Sequence, residues 1–126
     1  MAKHVAVMID DVVLRTLLCE TIELNGFEPT IVFPSDRAIE ELRESAADAL
    51  ILDVRLKEQE PGWSLLHLVR RDPTTADLAV ILLTADEDRR KVQRRTTGMA
   101  NWHLLRKPFG FVEISTVLTE ALAVPR

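Results

Sequence analysis

Five short apolar runs alternate along this chain with longer stretches in which apolar residues recur every three or four positions. The runs Val5 to Ile9, Glu28 to Phe33, Ala49 to Val54, Ala79 to Ala85 and Trp102 to Arg106 have strand length. The third and fourth lack polar alternation, as strands do when helices cover both faces, so they belong in the middle of a parallel sheet. Between the runs, residues 12 to 25 carry Leu14, Leu17, Leu18 and Ile22 at helical spacing, and Asn25-Gly26 supplies a left-handed stop. Ser35 predicts the cap of a second helix whose inward stripe is Ala38, Ile39, Leu42 and Ala46. A third helix runs from about Trp63 to Arg71, where Asp72-Pro73 ends it. A fourth spans 86 to 97 before Gly98, and a fifth spans 109 to 123 with Phe111, Ile114, Leu118 and Leu122 inward. Repeated βα units predict an α/β chain with a single doubly wound, five-stranded parallel sheet and five helices.

The 126 residues fit one domain, 1–126, with no length left for an output domain. A formal charge of −4 gives no electrostatic reason to expect direct nucleic-acid contact. Cys19 is the single cysteine, which excludes an internal disulfide and a thiolate-rich zinc site and fits a reducing cytoplasm. The apolar stretch after Lys3 and His4 already ends at Asp10, too soon for a leader peptide or a membrane span.

Chemistry gathers where the apolar runs stop. Asp10 and Asp11 close the first run, Asp53 the third and Thr84 the fourth, while Lys107 follows Leu104 and Leu105. In a parallel sheet all five project from the carboxyl edge, where ligands of such folds bind. Two or three carboxylates from neighbouring strands suit Mg2+, which takes oxygen ligands and keeps waters; a cation also relieves the repulsion among Asp10, Asp11 and Asp53. Asp53, on a central strand, is the candidate nucleophile toward phosphorus. Lys107 would meet one phosphoryl oxygen as a point charge, and the Thr84 hydroxyl would donate to another.

These residues resemble the response-regulator receiver domains of two-component signalling, chemotaxis regulators included. The likeness runs over nearly the whole chain: Asp10-Asp11, then Asp48-Ala49-Leu50-Ile51-Leu52-Asp53, Thr84-Ala85, and Lys107-Pro108-Phe109. It implies the flavodoxin-like strand order 2-1-3-4-5, phosphorylation of Asp53 by a histidine kinase or phosphotransfer protein, and Mg2+ as cofactor. It also implies a backbone carbonyl from Arg55 on the metal, a cis Lys107-Pro108 peptide, and phosphoryl binding by Thr84, Ala85 and Lys107. A bacterial, cytoplasmic phosphoprotein follows, a switch and not an enzyme beyond slow self-phosphorylation and self-dephosphorylation.

Two departures from the family pattern affect function. The aromatic usually found three residues before the lysine is Leu104 here, and Trp102 is the candidate substitute if the strand register shifts. The loop after Asp53 is charged, and Arg55 is placed to pair with Asp86 across the pocket. In the fourth helix Arg89, Arg90, Lys91, Arg94 and Arg95 follow three acids, which complements the helix dipole and also suits docking of an acidic partner. In receivers the face of helix 4, strand 5 and helix 5 is the usual output surface, which places Arg89, Arg90, Arg94 and Arg95 on it; a homodimer stays open. The alternatives are a receiver-fold interaction module that acts without phosphate, and an aspartyl-phosphate phosphatase, which would want an acid where Arg55 stands.

Overall fold

The alternation of side chains along β-strands decides how this chain packs. The computed structural model describes residues 2–54, 61–85 and 89–123. Its elements follow in the order β1 (His4–Met8), α1 (Val12–Leu24), β2 (Glu28–Ile31), α2 (Ala38–Ser45), β3 (Ala49–Asp53), α3 (Pro61–Arg71), β4 (Ala79–Thr84), α4 (Arg89–Arg95), β5 (Trp102–Arg106) and α5 (Phe111–Ala123). All strand pairs are parallel, in the order β2-β1-β3-β4-β5. Ala6, Met8, Leu50, Leu52, Val80 and Leu82 enter one core with residues of α2, α3 and α4. Their neighbours Val5, Val7, Ala49, Ile51, Ile81 and Leu83 enter the other with α1 and α5. Every residue of β3 and β4 is buried, as their unbroken apolar runs require.

Several helix details differ from the sequence pattern. Leu17 and Phe111 point outward at 48% and 53% exposure, while Thr21, Val117 and Ala121 complete the buried stripes. Both helices carry more apolar residues than one stripe holds, so spacing alone selected the wrong members. Ser35 does not cap α2. Its hydroxyl accepts the Arg37 N–H at 3.2 Å in a turn, and Arg37 occupies the cap position without a side-chain bond. Ala46 adopts the left-handed C-cap (φ 51°) and is exposed, leaving Ala47 to fill the core. Strand β2 ends at Ile31, although the Val32 N–H still donates to the Val7 carbonyl at 3.0 Å.

The amino edge of the sheet is fastened by Arg70. Its guanidinium donates to the carbonyls of Ala76 (3.0 Å), Leu78 (2.6 Å), Ala100 (2.9 Å) and Asn101 (3.0 Å). Burial lowers the Arg70 pKa, with the Asp77 charge opposing. Planar, many-pronged donation of this kind is beyond a lysine. Among the described residues, no helix is long and apolar enough to cross a membrane.

Candidate functional site

Parallel strands deliver their carboxyl ends to one edge, and here that edge holds Asp10, Asp53, Thr84 and Lys107. Asp53 is the last residue of β3 and is 2% exposed. It pairs in register with Leu83, one position before the buried Thr84, which pairs with Arg106, one position before Lys107. The Lys107 Nζ donates to Asp53 Oδ2 at 2.7 Å, joining β5 to β3 across the end of β4. Backbone bonds hold this arrangement: Lys107 N–H to Thr84 O at 2.9 Å, and Val54 N–H to Leu83 O at 3.1 Å. The Lys107-Pro108 peptide is cis.

The acidic pair divides its work. Asp11 is the N-cap of α1, its Oδ1 accepting the Leu14 N–H at 3.0 Å. Asp10, the residue before it, keeps a buried Oδ2 with no hydrogen-bond partner among the described residues. Such an oxygen is costly unless something cationic or protic meets it. Among the described residues no three His, Cys, Asp or Glu side chains gather as a ready metal cluster. Two carboxylates still suit a hard cation that keeps most of its waters, so the orphaned Asp10 oxygen and the buried Asp53 fit Mg2+. Arg55 and Asp86 lie outside the described residues, and with them the expected carbonyl ligand and the pair across the pocket.

Trp102 lies well away from this chemistry. It opens β5 opposite Val80, four positions before the Thr84–Arg106 pair, or about 13 Å along a strand. The register is unshifted, so Leu104, opposite Leu82, holds the place of the aromatic and packs partly buried against the α3–α4 core. On α4, Arg90, Arg94 and Arg95 are exposed, and the side chain of Arg89 lies outside the described set.

Comparison with known proteins bears on the whole chain. Residues 5–119 match the family described as the response regulator receiver domain. The chain is a receiver domain of that family. It is 31% identical over 115 residues to the phosphate regulon transcriptional regulatory protein PhoB of Klebsiella pneumoniae, covering 90% of this chain and 49% of that protein. This receiver thus spans about half the length of the curated relatives it matches. Two solved structures share its fold at a TM-score of 0.82. One is the receiver domain of the sensor histidine kinase PA1611 from Pseudomonas aeruginosa, described with a magnesium ion in its active site cleft, at 22% identity over 98% of this chain and 100% of that one. The other is the chemotaxis response regulator CheY4 of Vibrio cholerae, at 21% identity over 97% and 100%.

Three residues of the receiver escaped the sequence pattern. A Cβ on Gly62 would run into the Asp53 carbonyl and the Val54 backbone, so the start of α3 is pressed directly on the site strand. Arg15 reaches back to the Ile9 carbonyl at 3.4 Å and lies 5.3 Å from the Phe33 ring, holding the chain just before Asp10. Trp63, beside Gly62, is 3% exposed, and the Arg95 guanidinium of α4 stacks over it at 5.9 Å. Composition hints at none of these contacts, because each depends on two segments meeting in space.

Proposed function

We propose that this receiver accepts a phosphoryl group on Asp53, assisted by Mg2+, and signals by protein contact. The observation that carries this reading is the buried Asp53 carboxylate in contact with Lys107 at 2.7 Å, with an Asp10 oxygen that meets no partner among the described residues on the same sheet edge. The donor is a histidine kinase, a phosphotransfer protein or a small acyl phosphate. A carboxylate oxygen of Asp53 attacks phosphorus in line, forming an O–P bond as the bond to the donor breaks and its electrons leave with the donor. Asp10 and Asp53 would hold the cation, joined by the carbonyl of Arg55 and by Asp11 through the oxygen not used in capping. Bound there, Mg2+ supplies positive charge against the phosphoryl oxygens. Lys107 stays by Asp53 and neutralises a further oxygen, while the Thr84 hydroxyl and the Ala85 N–H donate to the rest.

Output runs through the face of α4, β5 and α5, to which the sequence positions of Arg89, Arg90, Arg94 and Arg95 belong. Leu104 favours a second reading, a receiver fold that binds its partner without phosphate, because a leucine has no hydroxyl or ring to swap between polar and buried surroundings. Intact mass after incubation with acetyl phosphate separates the two. The first reading expects the mass of one phosphoryl group, dependent on magnesium and absent in Asp53→Asn, with a change in Trp63 emission on adding beryllofluoride. Absence of both responses in the native chain supports the second.

A further inference from the structure

Two adjacent residues at the start of α3 touch Asp53 on one side and α4 on the other. Gly62 lies so close to the Asp53 carbonyl and the Val54 backbone that a Cβ there would collide with both. Trp63 follows it, buried in the same core as Val92 of α4 and the partly buried Leu104. The guanidinium of Arg95, an exposed residue of α4, stands over the Trp63 ring at 5.9 Å from its centroid. On the side of β4 and β5 the end of β3 is held, the Val54 N–H by the Leu83 carbonyl at 3.1 Å and Asp53 Oδ2 by Lys107 at 2.7 Å.

We infer that Gly62, Trp63 and Arg95 form a relay by which the state of Asp53 reaches α4, with the Arg95–Trp63 stack as the element that changes. The inference rests on the phosphate reading above and names how that site is coupled to a helix. A phosphoryl group joined to a side chain 2% exposed needs room in a close-packed surround, and Gly62 has no slack against the Asp53 carbonyl. Any shift of Gly62 moves Trp63 with it. A cation is drawn to a ring only while it faces the π surface within about 6 Å, so at 5.9 Å a small displacement ends the attraction. Arg95 is exposed, and its guanidinium passes into water at little cost, which gives two arrangements close in energy, stacked and solvated. Leu104, in the place of the aromatic on β5, has no polar group with which to make such a choice.

The test uses the full chain with magnesium and beryllofluoride. Fluorine NMR reads whether the site is filled, and deuterium exchange followed by mass reads the amides of α4. The native chain is compared with Arg95→Gln, which removes the cation, with Arg95→Lys, which keeps one, and with Arg94→Gln, which removes a neighbouring charge of α4 instead. Both positions are exposed, so all three variants are expected to fold. With the site filled, α4 exchange should change about threefold or more in the native chain and in Arg94→Gln, and by less than about 1.5-fold in Arg95→Gln, with Arg95→Lys between them. A response in Arg95→Gln equal to the native one, an equal loss in Arg94→Gln, or a silent α4 in a filled native chain overturns the relay and leaves the phosphate reading standing. No bound fluorine signal from the native chain defeats the phosphate reading itself, and the relay with it.

Discussion

Lys107 and Asp53 are 54 residues apart in sequence and meet at 2.7 Å, the lysine 30% and the aspartate 3% exposed at the side chain. A buried carboxylate held by a lysine depends on that lysine far more than an exposed pair does.

Lys107→Ala should therefore lower stability in urea by about 2 to 3 kcal/mol. Adding Asp53→Asn to it should restore part of the loss, since the variant then no longer buries a carboxylate charge without its lysine. Additive losses across the double-mutant cycle would show that the pair contributes no coupling.

Asp10 carries the opposite imbalance, a buried oxygen with nothing to meet among the described residues. Without magnesium, Asp10→Asn is expected to be more stable than the native chain by about 1 kcal/mol, because an amide brings its own donor to the site. With magnesium the order should close or reverse, since the native chain alone gains binding energy from the ion. Urea midpoints in chelator and in magnesium read both effects, and equal magnesium stabilisation of the two chains would remove Asp10 from the site.

Gly62 has no room for a side chain beside the Asp53 carbonyl and Val54. Gly62→Ala should cost about 1 to 3 kcal/mol as the start of α3 is pushed from the strand. Its rate of phosphate gain from acetyl phosphate should fall as well, because the shift is applied at the site strand itself. A fully stable Gly62→Ala chain would mean that α3 docks with slack.

Burial, and then the charge of Glu23, pushes the Cys19 thiol above its ordinary range, with Arg15 opposing. The folded chain thus prefers the protonated thiol. The stability this contributes is complete below the pKa of the unfolded thiol and is lost as pH rises through the folded one. At about pH 8 iodoacetamide should modify the folded chain more slowly than the urea-unfolded chain, the difference narrowing as pH climbs past the folded value. Equal rates would place the thiol in water.

The strands and the edge residues were legible for one reason. Asp10, Asp53 and Thr84 each end an apolar run, and a parallel sheet turns such positions into neighbours. The strand order came from family resemblance, because the apolar runs of β1, β3 and β4 are too alike to rank by pattern. Leu17 and Phe111 misled because a helix rich in apolar residues offers several stripes, and only packing chooses among them. Asp11 answered both to a metal and to a helix cap, and the Leu14 N–H shows which of these one of its oxygens serves. Gly62 and Arg70 gave no local signal. Each acts on backbone from another segment, which no window of sequence contains.

The carbonyls gripped by Arg70 belong to the residues just before β4 and just before β5. Both strands are pinned at their starts, while Thr84 and Lys107 sit at or beyond their carboxyl ends. Arg70 is in effect a fulcrum: any swing of these strands vanishes at the amino edge and is largest where the phosphoryl chemistry would take place. A side chain at the opposite edge of the sheet thereby limits how the edge that carries this chemistry can shift.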